Sequence, residues 1–110
     1  MKIDLILLPE TFVIITATLQ AIYNSKAHTR REKSTLSIAT DVTKKIETKT
    51  FNFKGKNDLF SQKKKVKISL KHHEADMLEL LLIDQIKYAD EIYIKQQIQN
   101  VINQLNQKLA

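Results

Sequence analysis

Lys65-Val66-Lys67-Ile68-Ser69-Leu70-Lys71 alternates polar and apolar residues without a break, the period-two pattern of a strand with one face in a core and the other in water. Within it, Lys67-Ile68-Ser69-Leu70 echoes Lys2-Ile3-Asp4-Leu5 at the start of the chain, at an offset of 65 in the numbering. Met1 to Leu8 alternates weakly and then runs apolar through Ile6-Leu7-Leu8, as a short buried strand does. Each echo is followed by two segments with helical spacing. The chain therefore carries a candidate internal β-α-α repeat.

Working outward from these strands, Pro9 stops the first and suits the first turn of a helix, and Glu10 favours the positive end of the helix dipole. The β-branched run Thr11, Val13, Ile14, Ile15, Thr16 and Thr18 would equally favour a strand. Phe12, Ile15, Leu19 and Ile22 recur at helical spacing, and the corresponding segment after the second strand is rich in Met and Leu, so residues 10–25 are read as helix. Thr29 with Glu32 three residues on has the form of a capping box. It opens a second helix marked by Leu36, Ile38, Ala39, Val42 and Ile46, which should fade near Thr48. Thr50-Phe51-Asn52-Phe53-Lys54 switches to period two and reads as a strand ahead of a turn at Gly55, the only glycine. Two final helices are expected over about 74–88 and 90–109.

In the second helix of each half, Ile38, Ala39, Val42 and Ile46 fall on Val101, Ile102, Leu105 and Leu109 at an offset of 63, and Lys45 falls on Lys108. Glu10 and Ile22 fall on Glu74 and Ile86 at an offset of 64, so the alignment requires two single-residue gaps. The expected fold class is α+β: a small antiparallel sheet of two or three strands covered by four helices, in the order β-α-α-β-β-α-α. A chain of 110 residues is expected to be one domain, with half-repeats 1–49 and 66–110 joined by a basic strand and turn over 50–65.

The charge distribution is more telling than its total of +6. Residues 1–43 carry five Lys/Arg against four acids, residues 44–71 carry ten against two, and residues 72–110 carry three against six. All the excess is in the middle. Lys54, Lys56, Lys63, Lys64, Lys65, Lys67 and Lys71, with Phe51, Phe53 and Phe60 near them, could hold phosphates and stack bases. Lysines on a strand serve equally to discourage edge-to-edge pairing. Arg30 and Arg31 join the candidate anion site, because cations in the first turn of a helix oppose its dipole.

The last helix points to another kind of function. Ile94, Ile98, Val101, Leu105 and Leu109 are spaced close to a coiled-coil seam, beside a nearly uncharged Gln/Asn face, and are the candidate self-association stripe. The competing use of that stripe is packing on the chain's own sheet. His72-His73-Glu74-Ala75-Asp76 offers imidazoles and carboxylates, but the spacing is poor for a metal. Its acids are better explained as first-turn partners of the helix dipole.

No cysteine nucleophile, glycine-rich phosphate loop or convincing acid–base histidine is present, so no catalytic residue, metal or cofactor is assigned. The first reading is a non-enzymatic binding or assembly protein acting through protein contacts and associating with itself. The alternative is a nucleic-acid-binding accessory protein using the central lysines, with a metal-dependent enzyme a distant third. No small-molecule substrate is evident. Asp4, Pro9 and Glu10 interrupt the apolar N-terminal run, so no membrane partner is expected, and the lack of cysteine fits a cytoplasmic address. The abundance of Ile, Lys, Asn and Gln resembles proteins of AT-rich bacterial genomes and their phages.

Overall fold

The computed structural model describes residues 2–54 and 65–110. Strand β1 (Lys2–Leu7) leads into helix α1 (Pro9–Leu19), which tightens into a 3-10 turn over Gln20–Asn24, and helix α2 (Arg30–Lys54) follows. Strand β2 (Val66–Lys71) leads into helix α3 (His72–Gln85), a 3-10 turn over Ile86–Tyr88, and helix α4 (Ile92–Leu109). The protein is α+β, and its described residues form four helices behind a two-stranded antiparallel sheet.

Register makes the relation between the halves geometric. Lys2 pairs with Lys71, Ile3 with Leu70, Asp4 with Ser69, Leu5 with Ile68, Ile6 with Lys67 and Leu7 with Val66. At the offset of 65, Asp4 corresponds to Ser69, and Asp4 is also paired with Ser69. A pseudo-twofold axis therefore passes through that pair. Burial obeys it: Lys2/Lys67 are exposed, Ile3/Ile68 buried, Asp4/Ser69 intermediate, Leu5/Leu70 buried and Ile6/Lys71 exposed.

The helices follow the same axis, in a different alignment from the one the sequence proposed. Buried Phe12, Ile15 and Leu19 of α1 correspond to buried Ala75, Leu78 and Leu82 of α3, each pair separated by 63. Buried Ala39, Val42, Thr43 and Ile46 of α2 correspond to buried Ile98, Val101, Ile102 and Leu105 of α4, each pair separated by 59. The expected offsets of 64 and 63 are corrected accordingly. An α-helix repeats every 3.6 residues, so a slip of four preserves most of an apolar stripe and sequence spacing cannot exclude it. The second half is shorter by two residues between strand and helix, and by four between its helices.

The expected third strand is also corrected. Residues 50–54 form the end of α2, which runs past Thr48 to Lys54. Thr50 is buried and prolongs the 3.6-residue stripe of Ala39, Val42, Thr43 and Ile46. Its hydroxyl bonds back to the Ile46 carbonyl at 2.9 Å and meets the Thr16 hydroxyl at 2.8 Å. The two phenylalanines two residues apart were too short a pattern to distinguish a strand. Phe51 is 65% exposed.

Other boundaries shift modestly. The expected capping box at Thr29 forms with a one-residue twist: Thr29 Oγ1 accepts the Glu32 N–H at 3.1 Å, while the Glu32 carboxylate accepts the His28 N–H at 2.9 Å. The core draws on all six elements, with Ile3, Leu5, Phe12, Ile15, Val42, Ile46, Ile68, Leu70, Leu78, Leu82, Ile98 and Leu105 in one cluster. No helix among the described residues is long and apolar enough to cross a membrane.

Candidate nucleic-acid interface

Alternation sends Ile3, Leu5, Leu7, Ile68 and Leu70 into the core, so the other face of the ribbon is left to Lys2, Asp4, Ile6, Lys67, Ser69 and Lys71. Among the described residues no helix lies over that face: Lys2, Lys67 and Lys71 are exposed and Ile6 is 42% exposed. Lys2 stands directly across from Lys71. Like charges opposite one another on a sheet are destabilising, so an anion between them would relieve a cost that folding alone does not. Lys65, also exposed, sits one residue ahead of β2.

Asp4 is the one acid on this face. Ser69 Oγ donates to Asp4 Oδ1 at 2.7 Å on the pseudo-twofold axis. That hydrogen bond, aided by the charges of Lys67, Lys108 and Lys2 and only partly opposed by desolvation, holds the Asp4 carboxyl below the usual carboxylate range. The group is therefore an ionised acceptor at neutral pH.

Both edges of the ribbon are closed by side chains at pseudo-equivalent places. On the β1 edge, the Gln104 amide behaves as a short strand: its Oε1 accepts the Ile6 N–H at 2.9 Å and its Nε2 donates to the Ile6 carbonyl at 3.3 Å. Lys108 donates to the Asp4 carbonyl beside it. On the β2 edge the counterpart of Ile6 is Lys71, whose N–H is accepted by Glu74 Oε1 at 2.7 Å. Lys45, the counterpart of Gln104 at the offset of 59, donates to the same oxygen at 3.0 Å. One neutral amide is thus matched by an ion pair. Burial pushes the Glu74 carboxyl up, but the Lys71 N–H, Lys45 and His73 outweigh it, and the net position is below the usual value.

The site residues read from the sequence divide as follows. Lys67 and Lys71 lie on the ribbon face, where Lys2, which the charge count had not singled out, joins them, and Lys65 sits one residue ahead of β2. Lys56, Lys63, Lys64, Gly55 and Phe60 lie outside the described residues, as do the side chains of Phe53 and Lys54. Phe51 borders a groove with Val13, Thr16 and Ala17 of α1. Arg30 and Arg31 are exposed in the first turn of α2. They are about 20 Å along the helix axis from Lys45, which adjoins β2.

The self-association stripe of α4 is turned inward. Ile98, Val101 and Leu105 are in the core, and Ile94 and Leu109 pack half-buried against it. The Gln/Asn face beside it proves specific: Gln104 closes the strand edge and Gln97 Oε1 accepts from the buried Thr11 hydroxyl at 3.0 Å. The only signal for this was an unusual lack of charge. His72 and His73 open α3, exposed, with Glu74 engaged in the cap, and no group of three or more metal-ligating side chains occurs among the described residues.

Two open apolar grooves of about 460 and 410 Å³ lie at pseudo-equivalent places, one beside Ile14, Thr18, Ile94 and Ile98, the other beside Met77, Leu81, Thr35 and Ala39. The second is bordered in addition by Lys26, Arg31 and Glu32. No protein-family model, curated protein or solved structure matches this chain. Its function must be read from its own residues.

Proposed function

We propose that the protein binds duplex DNA by laying its two-stranded ribbon, outer face inward, into the major groove. The observation that carries this is the uncovered ribbon face bearing Lys2, Lys67 and Lys71, with two lysines directly opposed. The dimensions support it. Two strands lie about 4.8 Å apart and six residues span about 20 Å. The major groove is about 12 Å wide and admits a two-stranded β-ribbon, which is how β-ribbon DNA readers dock. The role is non-catalytic: lysines contact phosphates and base edges, and the helices back the ribbon through the shared core. A cysteine-free chain needs no oxidising compartment, which fits action in the cytoplasm.

The test is fluorescence anisotropy with a random-sequence duplex at about 50 and 200 mM salt. Binding should weaken steeply with salt, because each neutralised phosphate adds about 0.9 to the log–log slope. Lys67→Glu with Lys71→Glu should abolish most of it. Lys87→Glu, past the far end of α3, should leave it nearly unchanged. No binding at about 50 mM salt, or equal loss from all three changes, would sink the proposal.

Self-association is retained on a different surface from the α4 stripe. Leu80 and Ile83, neighbours on the outside of α3, are 53% and 50% exposed. Light scattering that finds only monomer at high concentration removes this second reading.

A further inference from the structure

We infer that the DNA sequence this ribbon prefers is not a palindrome, and that Asp4, Ile6, Ser69 and Lys71 are the residues that break its symmetry. This rests on the proposal of duplex binding above. Backbone and side chains carry different symmetries here. The strands are related by a pseudo-twofold axis through Asp4 and Ser69, with matching burial on both sides. Duplex DNA has local twofold axes of its own, so a ribbon centred on one presents corresponding residues to symmetry-related base pairs. Lys2 corresponds to Lys67 and would make the same contact twice. Asp4 corresponds to Ser69, and Ile6 to Lys71; these make different contacts.

Chemistry assigns the difference. Lysine donates to the O6 and N7 acceptors of guanine, an ionised carboxylate accepts from the N4 amino group of cytosine, and an apolar side chain packs on the thymine methyl. Asp4 is kept ionised by Ser69 and the surrounding lysines, so it accepts and cannot donate. Ile6 is left exposed on the ribbon face although its neighbours Leu5 and Leu7 are buried, which puts an apolar group where the other half has the Lys71 ammonium. The half of the site under the Lys2–Lys71 pair should be guanine-rich. The other half, under the Ile6–Lys67 pair, should place a thymine under Ile6, and Asp4, at the centre beside Ser69, should take an amino donor.

Two substitutions make the ribbon symmetric. D4S and I6K give residues 2–6 the side chains of residues 67–71. Selection from a pool of random duplexes about 20 base pairs long should yield a non-palindromic site with the full-length natural chain and a palindromic one with the D4S/I6K double variant. Replacing the thymine half-site by a copy of the guanine-rich half should weaken binding of the natural chain about tenfold or more, as mismatches do. It should strengthen binding of the double variant. I6K alone changes one exposed side chain, and should exchange the thymine for guanine at one position only. A palindrome selected by the natural chain overturns the inference while leaving duplex binding intact. So does binding with no sequence preference, or a double variant that folds by circular dichroism and keeps the asymmetric site. Absence of any DNA binding at about 50 mM salt overturns instead the proposal on which it rests.

Discussion

Glu74 shows how much one side chain can organise. A single carboxylate oxygen accepts the Lys71 N–H where β2 ends and the Lys45 ammonium from α2, so strand end, helix start and neighbouring helix are tied at one point. Its side chain is 16% exposed and that of Lys45 is 39% exposed, so the ion pair is partly screened and the cap is the larger contribution. Glu74→Ala should cost about 1–2 kcal/mol, in the upper range of helix caps, as read from urea midpoints at neutral pH. The pH dependence has a definite sign. The folded-state value lies below the ordinary 4.5, so the stabilisation is complete above the unfolded value and is lost as pH falls through the folded one. Lowering pH from 7 to 3 should therefore shrink the gap in midpoint between the natural chain and Glu74→Gln. An unchanged gap would show that ionisation of Glu74 does not matter to the fold. Of this site the sequence disclosed only that an acid suits the first turn of a helix. Lys45 is 29 residues away, and nothing local indicates that the two meet.

At the scale of elements, a two-stranded sheet is all edge, and each edge presents unpaired N–H and C=O groups to water or to another strand. Here α4 closes the β1 edge through Gln104, and its removal has a local signature. Gln104→Ala should speed amide exchange at Ile6 and cost about 1 kcal/mol, with little change at Leu5, which is paired with Ile68 in the ladder. Unaltered exchange at Ile6 would mean that the amide contributes nothing to the edge. Helix α2 teaches a related lesson. The period-two look of Thr50 to Lys54 was a real pattern in the letters, but Thr50 lies on the buried stripe that begins at Ala39, and its hydroxyl finds the Thr16 hydroxyl on α1. A threonine that looks strand-like alone is stable in a helix when its oxygen has the carbonyl four residues back and a partner across the interface.

For the whole molecule, neither half has a core of its own. β1 needs β2 to form a ladder, and Phe12, Ile15 and Leu19 pack in one cluster with Leu78, Leu82 and Ile98. Unfolding should therefore be a single transition: far-UV circular dichroism, which follows the helices, and tyrosine fluorescence should give coincident urea curves. Two separated transitions would mean that the halves are independent. Leu82→Ala, in the second half, should lower both curves together by about 2–5 kcal/mol. By itself the amino-acid sequence determined the α+β class, both strands, the four helices in order and the concentration of lysine around β2, because alternation, helical stripes and charge are local properties of the letters. Only the tertiary structure decided that the two strands pair about Asp4 and Ser69, that Lys2 joins Lys67 and Lys71 on one open face, and that the α4 stripe is internal. Those depend on register between segments some 65 residues apart. The packing energy that selects one register arises only once all six elements share a core.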